Sequence, residues 1–558
     1  MAGERARVAG SGQALPGTTR ANLDMGTVTV DTDSILTETS AGVYRPDAAG
    51  QYLILARGEF ESTHDNRQNI MFKGSKNGTD VSGFVGTNYS RHNEADILVV
   101  QAYAILPFNG TTDTFEIDDV RDTGGGTPAG VYNDTYIDVI RLSDTETGLP
   151  YGRYGTPTAG AFSGADSYTD VAGWDVESET DTGVIADQDG TNIRFVEADR
   201  PYLIVYGFEN SDSGAGRTHR LSRLLHNTAL IAHSYGYSYQ RNAADQYAAP
   251  NGVALIRPGT ANQDLKAQIA GYENVNDTFA AGTFDIGSWT LSATANEAGM
   301  MIIALPAGAN IAVFEDLTAA QSVQDAGPID INHSRTTVGV ADSPFSRTNN
   351  TDVDVTSAVD VFAFGNIAIE QQGASGERGS HGLRWEVEGV DDVTSRGYTY
   401  ERGYQSADDC KNAVVQATYI GSPSANDTFQ LERYRVGASE NGTDDDTMYA
   451  GSFFIDLSSL VSKVTVEVVG AVEAAAETTG SLTLVYQPAG TVEAAAENTA
   501  TPLQVHKTAG ASETAGETTG GITQTHSLVG AIEAAAENAV AIKAIPSSAS
   551  RGVDPFPE

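Results

Sequence analysis

Internal repetition constrains this 558-residue chain more than any other feature. Arg67 is followed by Arg217 and Arg378, at offsets of 150 and then 161 residues. Tyr89-Ser90-Arg91, Tyr239-Gln240-Arg241 and Tyr400-Glu401-Arg402 repeat the same two offsets. Tyr52-Leu53-Ile54-Leu55 and Tyr202-Leu203-Ile204-Val205 are again 150 apart, with Val361-Phe362-Ala363-Phe364 near the third position. An Asp-Thr-Phe signature ends in Phe115, Phe279 and Phe429, and 24 residues after each Phe comes an apolar run, around Val139, Ile303 and Phe453. Val99-Val100-Gln101-Ala102 recurs verbatim as Val414-Val415-Gln416-Ala417. Short motifs in one order at nearly fixed offsets mean three copies of one structural plan.

Each copy reads as β. Runs such as Thr27-Val28-Thr29-Val30 and Tyr136-Ile137-Asp138-Val139-Ile140 are short and rich in β-branched or aromatic residues, with Gly, Asn and Asp clusters between them. A sustained 3.6-residue period is missing. Many strands without helical crossovers predict antiparallel sheets packed as sandwiches. The expected fold is therefore all-β, with three tandem antiparallel jelly-roll-like domains at 27–145, 165–315 and 327–460.

The order of elements resembles the jelly roll of the tumour-necrosis-factor and C1q family, most closely over Gly42-Val43-Tyr44-Arg45-Pro46-Asp47-Ala48-Ala49-Gly50-Gln51-Tyr52-Leu53-Ile54. The resemblance implies a trimer-forming binding or structural module without catalysis.

From residue 461 the composition turns to Ala, Glu, Thr and Gly. Gly470, Gly490, Gly510 and Gly530 each precede a related Glu-rich block, with Gly480 and Gly520 halfway, so a 20-residue repeat carries a beat of about ten. Nine residues between glycines are too few for a stable helix, and Val464, Val466 and Val468 alternate with polar residues. Residues 461–545 are expected to form a thin, mostly β element ordered by assembly with copies of itself, followed by a tail at 546–558. Such repeats look like those in tail and fibre proteins of environmental bacteriophages. At the other end, residues 1–26 carry Arg5, Arg7 and Arg20 against Glu4 and Asp24 and read as an extended docking arm.

Charge bounds the partners. Seventy-four acidic against 33 basic residues give a formal net charge of −41, which disfavours nucleic acid and anionic lipid. The shortage of Lys and excess of Asp resemble proteins exposed to high salt. Cys410 is the sole cysteine, which excludes intramolecular disulfides and thiolate clusters. The longest apolar run, Met300 to Leu305, is too short to span a membrane as a helix. The N-terminus lacks a secretory apolar stretch, so synthesis is expected to end in the host cytoplasm.

The search for chemistry finds no nucleophile elbow, phosphate-binding loop or zinc-protease motif. The repeated Arg67, Arg217, Arg378, Arg91, Arg241 and Arg402 and the repeated Tyr and Phe positions are read as structural, with a ligand site used three times per chain as the alternative. No cofactor is expected. Asp187, Asp189 and Asn192 resemble the start of a calcium loop but lack its twelfth-position Glu. The functional expectation is a non-enzymatic surface decoration or fibre of a tailed, phage-like virion, a homo-oligomer with a trimer favoured. It would contact other virion proteins through the arm and a host glycan or receptor through its loops. The alternatives are a cell-surface adhesin or glycan-binding protein, and a tail-spike depolymerase, which should bring a long parallel β-helix.

Overall fold

The computed structural model divides into two compact units, Ala2–Leu460 and Val461–Glu558. It describes residues 3–460 except 16–18, 32–33, 63–67, 91–96, 123–129, 156–167, 212–217, 241–246, 274–297, 317–328, 333–340, 372–377, 403–412 and 437–445, and from 461 onward the strands alone. Among the described residues no helix is long and apolar enough to cross a membrane.

Ala2–Leu460 holds three jelly-roll units. In the first, one sheet takes Arg5–Gly10, Gly130–Arg141, Ala49–Ser62 and Ile97–Asn109 in spatial order, and the facing sheet takes Val43–Pro46, Phe115–Asp122, Gln68–Lys76 and Thr79–Ser90. The second repeats this order with Tyr151–Gly155, Gly299–Ala304, Tyr202–Gly207 and Asn251–Ile256 opposite Ile193–Phe195, Gln263–Glu273, Thr218–His226 and Gly236–Gln240. The third does so with Ile311–Asp316, Asp446–Asp456, Val361–Gln371 and Ala413–Gly421 opposite Asp352–Val355, Asp427–Val436, Arg378–Val387 and Gly397–Arg402.

Each jelly roll begins earlier than the sequence motifs do. Arg5–Gly10, Tyr151–Gly155 and Ile311–Asp316 are first strands, each antiparallel to the last strand of its own unit. The described part of residues 1–26 is therefore built into the sheets rather than an extended arm. Arg5–Gly10 lies inside a sheet between Gly130–Arg141 and Thr27–Asp31, and Ala21–Asn22 pairs with Phe115–Asp122.

In the second jelly roll the sheet carrying the first and last strands is largely apolar on both faces. In the second unit Tyr202, Ile204 and Tyr206 join Met300, Ile302 and Ala304 in the unit's own core. The alternate residues Leu203, Val205, Met301 and Ile303 are equally buried, and Met301 Sδ meets the backbone N–H of Ile105 in the first unit at 3.4 Å. Two covered faces explain why these strands read as continuous apolar runs rather than alternating ones.

Within the first jelly roll one buried carboxyl opposes folding at neutral pH. Burial pushes Asp119 up to about 7, although the Tyr132 hydroxyl donates to it at 3.0 Å. Between the carboxyl's ordinary value near ~4 and 7 the folded state holds a proton that the unfolded chain has released, so stability falls as pH rises through this window. Asp119→Asn is expected to raise stability at pH 8 by on the order of 2–4 kcal/mol and to leave pH 4 nearly unchanged. Urea denaturation of both proteins at the two pH values is the check, and an equal shift at both would refute the assignment.

The strands of Val461–Glu558 form a parallel solenoid. Val464–Val468, Leu482–Tyr486, Leu503–Thr508, Ile522–Leu528 and Val540–Ile545 form one sheet, and Glu473–Ala476, Val492–Glu497, Ser512–Glu517 and Ile532–Ala536 the other. Every pairing is parallel, and successive coils align Glu473 with Glu493, Glu513 and Glu533. The ten-residue beat is the alternation between the two sheets. The neighbour that pairs each strand is the next coil of the same chain, which corrects the expectation that copies of the chain supply it. The parallel architecture asked of a tail spike thus occurs, confined to this unit.

Candidate functional site at the pseudo-threefold axis

The three jelly rolls close into a ring, and the repeated tyrosines mark its axis. The rings of Tyr89, Tyr239 and Tyr400 touch pairwise, with centroids 4.8, 5.3 and 5.5 Å apart. All three are buried. One step along the axis lie Gln101, Asn251 and Gln416. Gln416 Nε2 donates to the Asn251 carbonyl at 2.9 Å, and Asn251 Nδ2 donates to the Gln101 carbonyl at 2.5 Å. The verbatim Val-Val-Gln-Ala repeat therefore places a polar link of the axis. These residues, with Thr87, Asn88, Tyr237 and Thr399, line a small polar cavity of about 30 Å³, room for a water molecule or two.

Sequence reasoning missed a set of glycines that make this approach feasible. A Cβ on Gly86 would stand 1.7 Å from the Gln101 carbonyl oxygen, one on Gly236 2.4 Å from that of Asn251, and one on Gly397 1.8 Å from that of Gln416. Their spacing repeats the 150 and 161 offsets, so the signal was present.

Three joints complete the ring. From the first unit to the second, Lys73 Nζ donates to Glu209 Oε2 at 3.2 Å, and Ser82 to Glu177 at 2.5 Å. From the second to the third, the Ala232 N–H donates to Glu315 Oε1 at 2.7 Å and Asn366 Nδ2 to the Tyr235 carbonyl at 2.7 Å. From the third back to the first, Arg7 Nη1 donates to Thr394 Oγ1 and Arg57 Nη1 to the Thr394 carbonyl, both at 3.0 Å. Tyr103 donates to Gln416 Oε1 at 2.8 Å across the same joint.

The three arginines read as an anchoring arm serve this closure and the first core instead. Arg5 donates to Ser422 Oγ at 2.9 Å. Arg7 also pairs with Asp138 at 2.6 Å. Arg20 bridges Asp118, at 2.5 Å, and Asp80. Since the ring is satisfied within one chain, light scattering on residues 1–460 is expected to return the mass of a single chain. A threefold mass would mean that the trimer favoured from sequence forms between copies.

Other predicted positions divide. Phe115 and Phe429 are buried at equivalent points of their strands, facing Lys76 and Val387. The residue at that register in the second unit is Leu265, which faces His226; Phe279 lies outside the described residues. Arg378 and Arg402 pair with each other in neighbouring strands. Arg67, Arg217, Arg91 and Arg241 lie outside the described residues. Asp187 and Asp189 close a tight turn, accepting from the backbone of Gly190, Thr191 and Asn192 at 2.8–2.9 Å, and Asn192 Nδ2 donates to Asp189 at 2.8 Å. These donors, the Asn192 N–H foremost, hold Asp189 below the usual carboxylate range.

Strand pairing brings one set of connections to one end of each sandwich. Ser62 pairs with Gly130, Glu61 with Ile97, Gln68 with Ser90 and Asn69 with Asp122. The equivalent ends meet in the other units. The tyrosine cluster lies at this end. The segments that leave it differ in length, with 7, 25 and 9 residues between Asp122 and Gly130, Glu273 and Gly299, and Val436 and Asp446.

No family model matches this chain. No curated protein matches it. Among solved structures, murine APRIL at pH 8.0 is 14% identical and aligns over 28% of this chain and 98% of its own, with a TM-score of 0.19. PNGF-II is 8% identical over 70% and 98%, at 0.24. The infectious bursal disease virus VP2 subviral particle is 9% identical over 56% and 68%, at 0.15. With scores this low, the jelly-roll assignment rests on strand order.

Proposed function

We propose that this chain is a non-enzymatic display protein of a tailed, phage-like virion, a surface decoration or fibre whose head is a one-chain counterpart of a tumour-necrosis-factor-like trimer. The observation that carries the reading is the closed ring, whose strand ends at the tyrosine cluster lead into three sets of connections of unequal length. Binding residues concentrate on loops held by such scaffolds. Three unequal sets suit an asymmetric host glycan or receptor better than a symmetric one. Attachment to the particle falls to the repetitive solenoid, because the N-terminal segment is built into the head. The acidic composition suits an exterior position.

Antibodies raised against residues 2–460 are expected to decorate intact tailed particles in immunogold electron microscopy of virus-like particles and cells from the source material. Label confined to cell envelopes would replace this reading with the adhesin. Release of reducing sugar from host polysaccharide by the purified chain would replace it with the depolymerase.

A further inference from the structure

The three joints use equivalent positions, and one position breaks the equivalence. Arg7, Arg153 and Val313 pair with Asp138, Met301 and Phe453 on the last strands, which pair in turn with Leu55, Val205 and Phe364. In two joints a guanidinium therefore stands where units meet. Arg7 reaches Thr394, and Arg153 Nε lies 2.5 Å from the Glu177 carboxylate that also accepts from Ser82. In the joint between the second and third units, Val313 stops short. Leu230 likewise stands at the offset where the other joints have Asp80 and Asp391.

The space left is a partly open cavity of about 130 Å³, with Leu230, Leu255 and Val313 on its apolar side and His226, Arg257 and Glu315 on its polar side. An apolar cavity of ~150 Å³ is large enough for benzene. Arg257 is engaged by Asp342 through contacts of 3.1 and 2.7 Å. Burial holds His226 below its ordinary value, so its ring is neutral at pH 7, and its buried Nε2 has no hydrogen-bond partner among the described residues. Glu315 is 5% exposed and accepts from Ala232. Its carboxylate stands 3.2 Å from Nδ1 of His233, whose Nε2 meets the Leu255 backbone.

We propose that this cavity binds a small alkylguanidinium, which replaces the arginine that the other two joints supply from their own chain. The alkyl part fills the space that Val313 leaves, and the planar cation donates to Glu315, a charge-assisted pair of the kind carboxylates make with guanidinium.

Isothermal titration of the full chain with n-butylguanidinium tests this. Saturable one-to-one binding is expected, with n-butanol and butyrate at least about tenfold weaker. Glu315→Gln, which keeps an acceptor for Ala232, is expected to weaken binding at least about tenfold. Val313→Arg is expected to abolish binding while leaving the melting temperature unchanged or higher, and it carries the test should Glu315→Gln fail to fold. Absence of saturable binding, binding indifferent to Val313→Arg, or a preference for butyrate would overturn the proposal.

Discussion

Gly397→Ala is expected to destabilise the head by about 3 kcal/mol or more, although nothing about the substitution is bulky. An added Cβ would sit 1.8 Å from the Gln416 carbonyl oxygen, so Gly397–Arg402 must move away from Ala413–Gly421. Gln416 cannot follow freely, because its Nε2 holds the Tyr235 and Asn251 carbonyls of the second unit and its Oε1 accepts from Tyr103 of the first. One methyl group therefore loads two joints. The general gain from replacing Gly, roughly 0.4–1 kcal/mol through the unfolded chain, works in the opposite direction and is too small to hide the effect. Gly308→Ala is the control, since nothing lies within 4 Å of its Cβ position; it should stay within about 0.5 kcal/mol of the parent. Equal urea midpoints for the two variants would dismiss the axial glycine as a packing requirement.

The second large effect is expected at the Lys73–Glu209 pair. Their side chains are 4% and 5% exposed and meet at 3.2 Å between the first and second units. Burial pulls the Lys73 ammonium down and the Glu209 carboxylate pushes it back up. Lys73→Met leaves a buried carboxylate without this cation, a change that costs about 3–5 kcal/mol. Replacing both with Met removes the charge as well as its partner, and the double variant should recover most of the loss. A cycle measured by urea denaturation decides this. Additive single and double effects would mean that the pair is solvated, so that the joint relies on its apolar contacts.

Much of this architecture was legible in the chain. The offsets of 150 and 161 fixed three copies, and short β-branched runs between Gly and Asn clusters fixed antiparallel sheets. The first strand of each unit was not legible. Arg5–Gly10 reads Arg-Ala-Arg-Val-Ala-Gly, with little strand propensity of its own, and becomes a strand by pairing with Thr135 to Ile140, which lie far along the chain. The glycine set, spaced as the tyrosines are, was overlooked because a lone glycine looks like a turn.

The sequence by itself determined that three β-sandwiches follow one another, that Tyr89, Tyr239 and Tyr400 are equivalent, and that a 20-residue repeat ends the chain. Only the tertiary structure decided what the equivalence is for. An apolar strand such as Met300-Met301-Ile302-Ile303 announces that both its faces are covered, but the hydrophobic effect is non-directional and does not say by what. A second copy of the chain and the next unit of the same chain satisfy it equally. Which one does so is settled by directional contacts between residues far apart in sequence: Lys73 with Glu209, Ala232 with Glu315, Arg7 with Thr394. These close the ring within a single chain, and no local pattern encodes them.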